Sequence, residues 1–188
     1  MLAPFLTFPR AGVRRTAAVL ALSLALAGCT TRPPVPSGAD GLSLPRQAHV
    51  TRQVSGQQEQ DAVLVVQAEG GQATRWSMFD PFGMPQARQI LQDGTWRNDG
   101  FMRPNAGASE LFSAILFAWL PADRLDAAYP GGGWSEQRPA DGGRIRTLEA
   151  DCKPRWTIHW RPGAPDSRFT IRLPDGTAWR VEPLKEAP

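Results

Sequence analysis

The feature that most constrains this chain is alternation. Trp156, Ile158 and Trp160 fall on one face of a segment, with Arg155, Thr157, His159 and Arg161 on the other. Phe169, Ile171 and Leu173 alternate with Arg168, Thr170 and Arg172, and Trp179 and Val181 with Arg180 and Glu182. Trp76 and Met78 flank Ser77 in the same way. A period of two places one set of side chains on each face of a strand. A sheet built from such strands has one apolar and one charged face, which is the antiparallel pattern. Strands are predicted over His49–Val54, Ala62–Ala68, Gln72–Phe79, Gln86–Gln92, Thr95–Asn98, Gly143–Glu149, Arg155–Arg161, Arg168–Leu173 and Thr177–Glu182. Gly70-Gly71, Asp93-Gly94 and Asp175-Gly176 supply hairpin turns between them.

One segment breaks the alternation. Glu110 to Leu120 contains Leu111, Phe112, Ile115, Leu116, Phe117, Trp119 and Leu120 with almost no polar face. Such a run predicts a helix buried on most sides, with Ser109 as its N-cap. Pro121 opens a second short helix, Ala122–Ala128, which Gly131-Gly132-Gly133 ends. The expected fold is mainly β (α+β): an antiparallel, unclosed sheet with a short helical lid over its apolar face.

The N-terminus reads differently. Arg10, Arg14 and Arg15 precede an apolar run from Thr16 to Ala27, followed by Gly28 and Cys29. That run is only 12 residues, whereas a membrane span needs about 20. A basic segment, an apolar stretch and small residues make a bacterial secretory signal. Leu26-Ala27-Gly28-Cys29 resembles the lipobox of bacterial lipoproteins, which implies cleavage before Cys29 and acylation (palmitate among the chains) of that residue. Thr30 stands where enterobacterial lipoproteins kept at the inner membrane carry Asp, so the resemblance implies a place on the periplasmic face of the outer membrane. The expected organisation is a signal peptide over 1–28, a Pro/Gly-rich tether over 29–45 and a folded domain over 46–188.

Charge narrows the partners. The chain has 21 Lys+Arg against 18 Asp+Glu, and the three signal arginines account for the excess. The remainder is neutral and carries no electrostatic footprint for nucleic acid. Chemistry is equally sparse. His49 and His159 show no Ser-His-Asp or Cys-His spacing, and no CxxC, HExxH or phosphate-binding glycine loop occurs. With Cys29 assigned to lipid, Cys152 is left alone and is expected to be a partly buried, unreactive thiol. No catalytic residue, metal or cofactor is expected.

The layout over roughly residues 47–183 resembles LolA and LolB, the periplasmic carrier and outer-membrane receptor of lipoproteins. Asp80-Pro81-Phe82-Gly83 resembles the Asn-Pro-Leu-Gly loop of the LolB family, whose protruding apolar residue serves lipoprotein insertion into the membrane. The segment Leu116–Gly131, with Leu120-Pro121-Ala122-Asp123-Arg124-Leu125, resembles that family's second helix region, and the hairpin at Leu173-Pro174-Asp175-Gly176 is similar as well. The chain also resembles a family of LolB-like lipoproteins encoded beside aryl-polyene pigment genes. It departs from LolB in carrying Phe for Leu in the loop and a more aromatic interior.

The resemblance implies an unclosed half-barrel over a hydrophobic cavity and a non-catalytic role in lipid binding or lipoprotein transport. The cargo would be a lipid, an acylated protein or another amphiphile, received from a periplasmic carrier. Phe82 and Met84 would form a membrane- or cargo-contacting loop. Trp76, Met78, Leu111, Ile115, Trp119, Trp156, Ile158, Trp160, Phe169 and Ile171, with Leu64, Val66 and Leu91, would line the cavity. The same residues equally suit a packed core. A structural or adaptor lipoprotein that docks an envelope assembly remains the alternative function.

Overall fold

The structure, a computed structural model, describes residues 33–36, 41–100, 105–131 and 133–184. The signal segment and Cys29 lie outside the described residues. Ten strands form one antiparallel sheet: β1 (Arg46–Gln53), β2 (Gln60–Glu69), β3 (Ala73–Phe79), β4 (Pro85–Gln92), β5 (Thr95–Asn98), β6 (Trp134–Gln137), β7 (Arg144–Ala150), β8 (Lys153–Trp160), β9 (Phe169–Arg172) and β10 (Ala178–Pro183). Their order across the sheet is β5-β4-β3-β2-β1-β10-β9-β8-β7-β6. Two five-stranded meanders are thus joined where the first and last strands pair, Val50 opposite Val181. β5 and β6 remain the two edges, so the barrel is not closed.

That order dictates where the helices go. The chain leaves the sheet at one edge, β5, and must re-enter at the other, β6. The connecting segment therefore crosses the apolar face. It does so as α1 (Ala106–Trp119) and α2 (Ala122–Ala128). α1 touches both halves of the sheet. Trp76 of β3 packs against Phe112 at 5.5 Å between ring centroids, and Trp156 of β8 against Phe117 at 6.0 Å. Nine successive or near-successive residues of α1, Ala108 and Leu111–Ala118, are buried, as an all-apolar helix must be. The fold is a mainly β, open half-barrel with a short helical lid.

Local chemistry explains the boundaries. Asn105, in an extended conformation, accepts a 3.0 Å hydrogen bond from the Ala108 N–H and caps α1. The expected cap, Ser109, lies inside the first turn, where its hydroxyl donates to Gln89 Oε1 at 3.1 Å. Ala106-Gly107-Ala108 carries no apolar periodicity, which hid that extra turn. At the other end Leu120 is extended (ψ 134°), as the residue before a proline tends to be. Pro121 is the N-cap of α2, which runs over the expected Ala122–Ala128.

β6 is absent from the sequence reading. It has only four residues and follows the glycines read as a helix stop. Gly133 belongs to its pairing: at φ +85° a Cβ there would meet the Glu149 carbonyl oxygen at 3.0 Å. Cys152 also departs from expectation. It is exposed, because Asp151 and Cys152 form the left-handed β7–β8 turn (φ 52° and 57°). The stretch read as tether is partly docked, with Val35, Leu42 and Leu44 packed against the core.

Candidate functional site

Three places carry chemistry that the core does not use: a loop tip and two clefts.

The tip follows β3. Pairing shifts at a bulge between Met78 and Phe79, and the chain turns at Asp80-Pro81-Phe82-Gly83. One Asp80 carboxylate oxygen accepts from the Phe82 and Met84 backbone N–H groups, both at 2.9 Å. The other accepts from the Gln86 side-chain amide at 3.2 Å. Backbone bonds from Asp80 N–H to the Met84 oxygen and from Gly83 N–H to the Asp80 oxygen, each 2.9 Å, close the loop. Gly83 takes φ +80°, which a side chain would strain. The loop is thus braced by its own backbone and by Asp80, not by the core. Phe82 is 92 % exposed and Met84 61 %. They are the most exposed large apolar residues described, and they stand two positions apart on the same loop.

The residues expected to line a cavity come together as packing. Trp76, Met78, Leu111, Ile115, Trp156, Ile158, Trp160, Phe169 and Ile171 are all buried, as are Leu64, Val66 and Leu91. Trp119 is half-buried against them. Trp76 is the hub: it lies edge-on to Trp96 at 5.5 Å, tilted on Phe112 and stacked on Trp119 at 5.8 Å. Indole nitrogens find partners, Trp96 donating to Ser113 Oγ at 2.8 Å and Trp76 to Thr74 Oγ1 at 2.9 Å. Aromatic rings from β3, β5 and α1 fill this half of the concavity.

Open volume lies at the two ends of α1 instead. A first cleft of about 590 Å³ sits by its N-terminus, lined by Met78, Leu111, Leu173, Trp179, Glu110 and Arg155 among others. Here the Glu110 carboxylate accepts from Arg155 (Nε, 2.7 Å) and from the Trp156 indole at 2.5 Å, fastening the helix to β8. The hydrogen bonds to Glu110 hold the Arg155 guanidinium above its ordinary pKa. Of the expected cavity residues, only Met78 and Leu111 reach this cleft.

A second cleft of about 820 Å³ lies at the C-terminal end of α1, between β1, β7 and the β8–β9 loop. Trp119 lines it, with Arg46, Arg138, Arg144, Arg146, Glu136 and Asp166. Arg46 on β1 and Arg144 on β7 share this cleft although three strands separate β1 from β7 in the sheet, so the sheet curls strongly. Arg146 is structural. Its side chain is 2 % exposed, pairs with Glu136 at 2.9 Å, and donates to the Phe117 and Leu120 carbonyls at 2.9 and 2.8 Å. Those are end carbonyls of α1 that have no partner within the helix. Burial lowers the Arg146 pKa, against the opposing pull of Glu136.

The histidines lie apart from these places. His49 approaches Asp61 at 3.1 Å on the charged face. His159 has its pKa lowered by burial and by Arg172. Among the described residues no cluster of His, Cys, Asp or Glu could hold a metal ion, and no helix is long and apolar enough to cross a membrane. The basic cleft was not found from sequence, because Arg46, Arg138, Arg144 and Arg146 come from opposite ends of the domain and only the curl brings them together.

No curated protein matches the chain. A family profile described as "Protein of unknown function (DUF3261)" matches residues 46–176, from the first strand to the β9–β10 turn, and the chain belongs to that family.

Proposed function

We propose that this chain is an outer-membrane-anchored bacterial lipoprotein that binds or transfers an amphiphile, a lipid or an acylated protein, without catalysis. The observation that carries the reading is the braced tip with Phe82 92 % exposed. An aromatic ring held in water by a rigid loop, beside an exposed methionine, suits contact with a bilayer or an acyl chain. Lipid on Cys29 would hold the tip within reach of the same membrane. The open half-barrel and the LolB-like loop support the same reading.

The test uses residues 30–188, so that neither the signal segment nor the lipid anchor can contribute. Vesicles of phosphatidylethanolamine and phosphatidylglycerol are floated with it. Co-flotation is expected with Phe82 intact and is lost in Phe82→Ser. Equal flotation of both variants, or of neither, removes the support.

A second reading, an adaptor that docks an envelope assembly, is favoured by the packed aromatic interior. It predicts that a dansylated fatty acid finds no saturable site on the protein and that a photocrosslinker at position 82 captures protein rather than lipid.

A further inference from the structure

We propose that the second cleft is a binding site for a phosphate group, carried by a lipid headgroup or by a soluble phosphate ester. Four arginines line it against two carboxylates, Glu136 and Asp166. This is a local excess in a chain whose charges beyond the signal segment sum to zero. The four are not equivalent. Arg146 is spent on the α1 carbonyls and Glu136. Arg138 is exposed and reaches Glu136 only at 3.4 Å.

Arg46 and Arg144 are the available pair. Arg46 donates through Nε to the Ser43 carbonyl at 3.1 Å and lies 5.1 Å from the Trp119 ring centroid. Among the described residues no carboxylate pairs with it, and burial lowers its pKa. Arg144 stacks on Trp160 at 3.9 Å, and its Nε is buried without an acceptor among the described residues. Its one carboxylate partner, Asp166 at 2.7 Å, is 88 % exposed. Only the Asp166 side of this pair faces water, Arg144 being 18 % exposed, so a competing anion can take its place without breaking a buried contact.

The two guanidiniums enter from different walls, β1 and β7. A planar carboxylate is satisfied by a single arginine fork, whereas a tetrahedral oxyanion accepts from several directions at once. Both guanidiniums already lie over indole rings, which restricts where they can move before a ligand arrives. Trp119, Ala118 and Leu120 supply an apolar flank for the organic part of the ligand. The volume, about 820 Å³, is within the range of small-molecule sites. This site goes beyond the amphiphile reading, since phosphate binding needs no bilayer and stands even if the tip does not insert.

Calorimetry on the full chain in dodecyl maltoside tests it with three probes: inorganic phosphate, dioctanoyl phosphatidic acid and dioctanoylglycerol. Saturable phosphate binding that weakens with added salt is expected. Arg46→Gln and Arg144→Gln should each weaken it by about tenfold, while Arg97→Gln on the far edge strand leaves it unchanged. If Arg144→Gln fails to fold by circular dichroism, Arg46→Gln paired with Arg138→Gln carries the test. Phosphatidic acid binding above free phosphate identifies a lipid headgroup. Equal binding of the two identifies a soluble ester, and both outcomes support the site. Absence of phosphate binding with dioctanoylglycerol matching phosphatidic acid overturns it, as does wild-type affinity in the Arg46 and Arg144 variants.

Discussion

Trp76 and Phe82 lie six positions apart, one in β3 and one in the loop that follows it, yet they have opposite fates. Trp76 has no exposed surface; Phe82 is 92 % exposed. Residue chemistry does not separate them, since both are large aromatic groups. Their backbones do. Trp76 stands on the sheet face that α1 must cross, so three other rings close around it. Phe82 stands on a turn whose polar groups are satisfied by Asp80 and by the loop itself. Nothing pulls that turn back onto the core. In this fold an apolar side chain contributes to stability where the connection covers it, and is left for a partner where the connection turns away.

The comparison breaks most directly through paired truncations. Trp76→Ala should lose about 3–5 kcal/mol of unfolding free energy, through lost burial and the cavity left behind. Phe82→Ala should stay within about 0.5 kcal/mol of the parent. Urea unfolding followed by far-ultraviolet circular dichroism measures both. A Phe82→Ala loss approaching that of Trp76→Ala means that the tip packs on the domain in solution, and the contrast between the two regions collapses.

Arg146 sharpens the covered side of the comparison. It pins the end of α1 to β7, with Glu136 completing its charge. Removing one partner of a buried pair leaves the other uncompensated, so Arg146→Ala should cost about 3 kcal/mol. Arg146→Lys keeps the charge but not the fork that reaches two carbonyls and a carboxylate, and should recover only part of that loss. Hydrogen exchange at Leu116–Leu120 amides distinguishes a loosened helix end from general unfolding. If Arg146→Ala unfolds no more easily than the parent, the lid is held by its aromatic face alone.

Much of this was legible from periodicity. Trp156, Ile158 and Trp160 face inward as alternation requires, and β5 and α2 have the predicted limits. Strand–turn–strand order and a covering helix follow from local pattern, since each depends on neighbours in sequence. Illegible features depend on contacts distant in sequence or on very short signals. β6 offers four residues, too few for a period to register. Asn105 caps a first turn made of Ala and Gly. The exposure of Phe82 was expected from the resemblance of its loop, but the bracing by Asp80 needs the loop geometry to be seen. The arginine cleft needs the curl of the sheet, because Arg46 and Arg144 are nearly a hundred residues apart.

Asp80 offers the finest probe of the exposed side. Its carboxylate satisfies two backbone N–H groups that would otherwise turn to water. Because the loop is solvated, losing these bonds is mild, about 1 kcal/mol for Asp80→Ala. Global stability should therefore move far less than in Trp76→Ala. The effect belongs to the tip: exchange of the Phe82 and Met84 amides should accelerate, and flotation with vesicles should fall although Phe82 itself is unchanged. A ring on a loosened loop must be ordered at the moment of contact, whereas a braced loop presents it already ordered. Asp80→Asn separates bracing from charge, since the amide keeps one oxygen acceptor. Asp80→Asn should hold both the slow exchange and the flotation. If Asp80→Ala floats as well as the parent, exposure alone suffices, and the rigidity of the loop is a property of the turn with no part in contact.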